Sequence, residues 1–188
     1  MARLTDDDFD ALRAQQDRAR ARPLGALRSA DGEQRGEALD AWITAGDTLA
    51  EKAIAALDAG DDERAAALVR RIVDLPVVDG STRTGLMAVD LVLVGEVLEP
   101  LEEGDAAGLL ERPLRLLPDL PQPVADELRH VLAALTDYDL PAAVRRRIAA
   151  VVPLEDRLQP PFSGVPEDEL PAAVTGVLRL VLRLRSDG

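Results

Sequence analysis

Between Leu39 and Leu57 the apolar residues recur at intervals of three and four: Leu39, Trp42, Ile43, Gly46, Leu49, Ala50, Ala53, Ile54 and Leu57. That period puts them on one face of an α-helix and does not fit the two-residue alternation of a strand. It predicts a helix from about Glu33 to Ala59, closed by Gly60, a residue suited to helix C-termini. Asp61 or Asp62 then caps a second helix with Ala65, Leu68, Val69, Ile72 and Leu75 on one side, ending before Pro76. So short a turn forces the two helices antiparallel, and residues 33–75 read as an αα-hairpin. Trp42 and Gly46 stand four apart, as in tetratricopeptide helical pairs. The span to Pro76 exceeds that unit and no second copy follows, so the reading kept is a generic hairpin.

A third helix is expected over residues 81–98, capped by Ser81 or Thr82. Leu86, Met87, Val89, Leu91, Val92, Leu93, Val94, Val97 and Leu98 leave it almost no polar face, which suits a central position in the fold. The texture then changes, because eleven of the 13 prolines lie beyond residue 99. Proline interrupts helices, so the second half is expected as shorter pieces near 105–117, 122–136, 141–152 and 167–185, with 153–166 the longest loop. Three start signals share an acid-Leu-Pro pattern, at Asp119-Leu120-Pro121, Asp139-Leu140-Pro141 and Glu169-Leu170-Pro171, where the acid is expected to cap. At the other end Thr5 and Asp6, Asp7 and Asp8 mark a helix running to about Arg22, before Pro23.

Composition agrees with this reading. The chain of 188 residues has 13 Gly, no Cys and only four aromatic side chains, Phe9, Trp42, Tyr138 and Phe162. Its apolar content is mostly Leu, Ala and Val, and the first two are strong helix formers. The expectation is one all-α domain of about seven or eight helices. Residues 1–32 form an N-terminal helix and link, 33–98 the hairpin and apolar helix, and 99–188 a proline-punctuated half.

Several functions are excluded at this level. Without cysteine there is no disulfide, thiol nucleophile or Cys-ligated metal, and the single histidine rules out a multi-His centre within the chain. No metal or cofactor is expected. The net charge of −13 opposes phosphate backbones, so nucleic acid is not an expected partner. The N-terminus has no apolar signal core, and the apolar run Gly85–Val94 is too short to span a bilayer, so a cytoplasmic, membrane-free protein is expected. There is no Gly-rich phosphate loop, Gly-x-Ser-x-Gly elbow or His-Glu-x-x-His, and no catalytic residue is assigned.

Three polar residues stand out as ligand-binding candidates. Asp90 interrupts the apolar helix, where an unpaired carboxylate is costly. It reads, in order, as an edge residue reaching water, an ion pair with an arginine, or a polar point in a ligand pocket. His130 follows Asp126 and Glu127 at helical spacing, which sets an imidazole beside a carboxylate. Tyr138 lies in an acidic turn between Asp137 and Asp139, without the ligand pattern of a calcium loop. In the last helix Leu180 and Leu184 oppose Val181 and Leu182, and the two apolar sides make Leu180 and Leu184 candidates for a homodimer interface. The leading expectation is a non-enzymatic interaction module, an adaptor, regulator or inhibitor-like domain whose acidic surface suits a basic protein partner. The alternatives are a small-ligand-binding or enzymatic helical domain using Asp90, His130 or Tyr138, and a structural subunit of a homodimer.

Overall fold

The computed structural model describes residues 32–77, 83–102, 110–135, 142–152 and 161–186. Among them are seven α-helices: α1 (Gly32–Asp58), α2 (Asp62–Val73), α3 (Thr84–Glu102), α4 (Glu111–Leu116), α5 (Gln122–Ala134), α6 (Ala142–Val151) and α7 (Leu170–Ser186). The described residues form no strand, and their one β-bridge joins Val77 to Arg83. The chain is all-α. The expected helix near Thr5–Arg22, the caps Ser81 and Thr82, and the acidic turn holding Tyr138 lie outside the described residues.

Local chemistry explains the sharp reversal after α1. Gly60 adopts φ +72°, the left-handed conformation that spares glycine a steric penalty. Its N–H donates to the Leu57 carbonyl at 3.1 Å and the Asp61 N–H to the Ala56 carbonyl at 2.8 Å, the paired bonds of a Schellman terminus. The Asp61 carboxylate then accepts from the Arg64 N–H at 3.1 Å and caps α2. Thus α2 packs back along α1. At its far end the buried Thr84 hydroxyl donates to the Pro76 carbonyl at 2.8 Å, tying the start of α3 to the end of α2.

Two close approaches set the depth at which helices meet. A Cβ on Gly46 of α1 would come within 2.5 Å of the Ala88 Cβ on α3, and one on Gly176 of α7 within 2.5 Å of a Val124 methyl on α5. Gly46 therefore serves backbone proximity between helices. Both contacts lie within one turn of residues that matter below, Asp90 on α3 and Glu127 on α5.

The C-terminal helix is the hub of the packing. It contacts α1, α2, α3 and α5, and it buries Leu170, Ala173, Val174, Val177, Leu178, Leu180, Val181 and Leu184. Leu180 and Leu184, the expected interface residues, belong to this buried set. Both are buried within the single chain, at 1% and 3% exposure, because neighbours enclose α7 on several sides. The apolar α3 also contacts α1, α2, α5 and α7, yet its Leu91 stays 49% exposed. The proline signals mark starts correctly but the acid at one of them does not cap. At α5 Pro121 takes the cap position with no side-chain bond, since Asp119 is drawn into a 3-10 turn over Leu117–Asp119. Among the described residues no helix is long and apolar enough to cross a membrane.

Candidate functional site

The site is built from two helices and one turn. Asp90 comes from α3, Glu127 and His130 from α5, and a tight turn over residues 161–164 lies across them ahead of α7. On α5 the apolar stripe is Val124, Leu128, Val131 and Leu132, all buried. Glu127 falls on that stripe by helical spacing, so it is carried inward and is only 3% exposed. Its neighbour Asp126 points the other way, taking bonds from Arg129 at 2.7 Å and from the Gln122 amide at 2.8 Å.

Glu127 holds the turn in place. Its Oε2 accepts the Phe162 backbone N–H at 2.8 Å, while the Phe162 ring is buried. Phe162 has φ +58°, a left-handed conformation that costs a non-glycine residue about 1 kcal/mol or more. Burying the ring contributes about 2 kcal/mol, and with the charge-assisted bond this offsets the strain. Gly164, at φ +80°, completes the reversal, and Val165 donates back to the Phe162 carbonyl at 3.2 Å. Farther along, Arg83 donates to Glu167 at 2.8 Å and ties the segment ahead of α7 to the start of α3.

Two clefts meet at this turn. One, of about 410 Å³, has Arg83, Asp90, His130 and Ser163 as polar groups and Leu86, Met87, Leu91 and Phe162 among its apolar walls. The other, of about 660 Å³, is lined by Glu127 and His130 beneath the same turn, with Asp126 and Glu169 at its polar margin. His130, Phe162, Ser163 and Val165 border both. The sequence candidates Asp90 and His130, 40 positions apart, are thereby brought to one cleft. Tyr138 lies outside the described residues.

The electrostatics of the pair are unusual. Asp90 Oδ1 and Glu127 Oε1 are both buried, and neither receives a hydrogen bond from a protein donor. Two ionised carboxylates so placed would repel each other and leave both oxygens unsatisfied. One proton between the acids satisfies both. Burial first, then the charge and hydrogen bond of Asp90, push Glu127 up to about 8, with the Phe162 N–H opposing. Asp90 is also raised by burial, against the positive charge of His130 and the hydrogen bond with Glu127. With Glu127 pushed up to about 8, the proton at neutral pH resides on its carboxyl, against Asp90.

Glu127 and Phe162 are the functional residues that sequence reasoning missed. Glu127 entered only as a neighbour of His130, although an acid on the stripe Val124-Leu128-Val131 is itself a signal. Nothing local marks Phe162, since its role comes from a backbone N–H and an unusual φ. Among the described residues no three His, Asp or Glu side chains are grouped to hold a metal ion.

No family model, curated protein or solved structure matches this chain.

Proposed function

We propose that the protein is a small-ligand-binding helical domain whose ligand enters the 410 Å³ cleft between α3, α5 and the Phe162 turn. The observation that carries this reading is Asp90, an acid on the apolar α3 whose buried Oδ1 has no donor, lining a cleft whose other walls are largely apolar. Binding sites commonly combine an apolar enclosure with a few convergent polar groups, in volumes of roughly 300–1,000 Å³. Leu86, Met87, Leu91 and Phe162 supply the apolar contact, and Asp90 and His130 the polar end.

The reading is tested by a fragment screen followed with backbone amide NMR. Fragments are expected to shift the amides of Leu91, Phe162 and Ser163, and Met87→Trp, which fills the cleft from its wall, is expected to abolish those shifts. A screen whose hits all map elsewhere overturns the proposal.

A second reading, the acidic interaction module, rests on the net charge of −13 and on Leu91 and Val77, the large apolar side chains left exposed at 49% and 45%. Salt-sensitive capture of one basic partner, lost in Leu91→Asp, is the result that would favour it.

A further inference from the structure

The chemistry of the ligand follows from which groups in the cleft lack partners. Asp90 Oδ1, on the side of the cleft, and its neighbour Glu127 Oε1 have no protein donor, so either the proton they share or a ligand's donor must serve them. Anions are disfavoured, because they would meet two buried acids. A neutral hydroxyl could donate but would leave the electrostatics unchanged. An ammonium or amidinium group both donates and brings the positive charge that could replace the shared proton.

Most of the charged groups around the pair already have partners. Arg83 borders the cleft from the start of α3 but is engaged by Glu167. His130 borders it from α5, and its positive charge already acts on Asp90. Asp126 on α5, paired with Arg129, and Glu169 ahead of α7 line only the second cleft. On α6 the cations Arg145, Arg146 and Arg147 are exposed to solvent and line neither cleft.

We propose that the ligand is a small organic amine or amidine with an apolar body, and that its cationic head seats on Asp90 and expels the proton held between Asp90 and Glu127. This rests on the ligand-binding reading above and adds to it the chemical class and a coupled proton. The balance is simple. Before binding, the two acids and their proton carry one net negative charge. Afterwards two carboxylates and one cation carry the same charge, and one proton has passed to solvent. The route differs for the two species: Asp90 faces the smaller cleft, by which the ligand enters, whereas Glu127 faces the larger one, by which the proton leaves.

Linkage makes the coupling measurable. Below the apparent titration of the pair, near 8, affinity for an amine that stays protonated is expected to rise about tenfold per pH unit, levelling off above it. Affinity for the uncharged analogue should stay flat.

The experiment uses the full chain with benzylamine and benzyl alcohol as matched probes. Carboxyl infrared or ¹³C NMR first looks for a protonated carboxyl at pH 7 that Glu127→Gln removes. Calorimetry in buffers of different ionisation enthalpy then counts protons, with amide shifts at Phe162 and Ser163 locating the probe. The expected result is release of nearly one proton per benzylamine at pH 7, none in Glu127→Gln, and at least tenfold weaker binding of benzyl alcohol. Benzylamine bound in the cleft without proton release overturns the proton exchange alone. Equal binding of alcohol and amine overturns the cationic class but leaves the ligand cleft standing. If the protonated carboxyl is present but neither probe moves the turn, the cleft reading and this inference fall together.

Discussion

Two carboxylate pairs in this molecule meet opposite fates. Glu51 on α1 and Glu96 on α3 face a guanidinium, whereas Asp90 on α3 and Glu127 on α5 face each other. Arg185 of α7 forks to both oxygens of Glu51, at 2.7 and 2.9 Å, and reaches Glu96 at 2.6 Å. The hydrogen bond from Arg185 holds Glu51 below the ordinary carboxylate range, with burial opposing and the Arg185 charge adding. Those bonds also raise Arg185 itself. Enclosure contributes, since the Glu51 side chain is 46% exposed and Glu127 only 3%, although Glu96 at 13% is nearly as enclosed. The larger difference is whether helix packing delivers a guanidinium. The first pair fastens three helices together, and the second stores a proton at the edge of a cleft.

That contrast can be broken most forcefully at Glu127. Glu127→Ala removes the acceptor of the Phe162 N–H and leaves a hole in the apolar stripe. Urea unfolding at pH 5 is expected to show a loss of about 3 kcal/mol. A loss below about 1 kcal/mol would mean that the turn is held by something other than Glu127.

Glu127→Gln sharpens the comparison by keeping shape and acceptor while discarding the titration. A group whose folded pKa is raised lends stability that is complete below its unfolded pKa and is lost as pH climbs through the folded value. For Glu127 that window runs from 4.5 to about 8. The amide variant is therefore expected to be more stable than wild type by on the order of 2 kcal/mol at pH 8.5, with the advantage closing toward pH 4.5. A constant difference across that window would show that the pair does not hold its proton.

The arginine cluster carries the opposite sign. Because Glu51 is lowered, its contribution is present above the unfolded value of 4.5 and disappears as pH falls through the folded one. Arg185→Met is expected to cost about 1 kcal/mol at pH 7, modest because the ion pairs are partly exposed. In a pH series of thermal melts that cost should shrink on acidification. The smallest effect concerns salt. Raising NaCl to about 0.5 M should narrow the gap between wild type and Arg185→Met by a few tenths of a kcal/mol, while leaving the Glu127→Gln difference unmoved.

Much of the helical skeleton could be read directly. The three-and-four spacing marks α1, the Gly60-Asp61 junction supplies both a terminus and a cap, and Pro171 sits in a first turn as proline should, whereas Pro121 takes the cap position of α5. These are local rules, and they hold because each involves residues within one or two turns. Legibility ended where contacts became long-range. Asp90 was conspicuous as an acid among Val89, Leu91 and Val92, but the sequence favoured an edge or an arginine partner over a pocket. Leu180 and Leu184 looked like surplus apolar surface, because nothing in α7 alone says that four other helices surround it.

By itself the sequence determined that the chain is helical, the ends of α1 and α2 to within a residue or two, and that Asp90 and His130 are out of the ordinary. Backbone hydrogen bonding and side-chain periodicity suffice for that. Only the tertiary structure decided which acid meets a guanidinium and which meets another acid. The protonation of a carboxyl depends on burial and on charges brought near it by packing, and these come from residues such as Asp90 and Glu127 that lie far apart along the chain. The same is true of Phe162, whose contribution is a backbone N–H aimed at Glu127 by a turn that only the assembled helices hold in place.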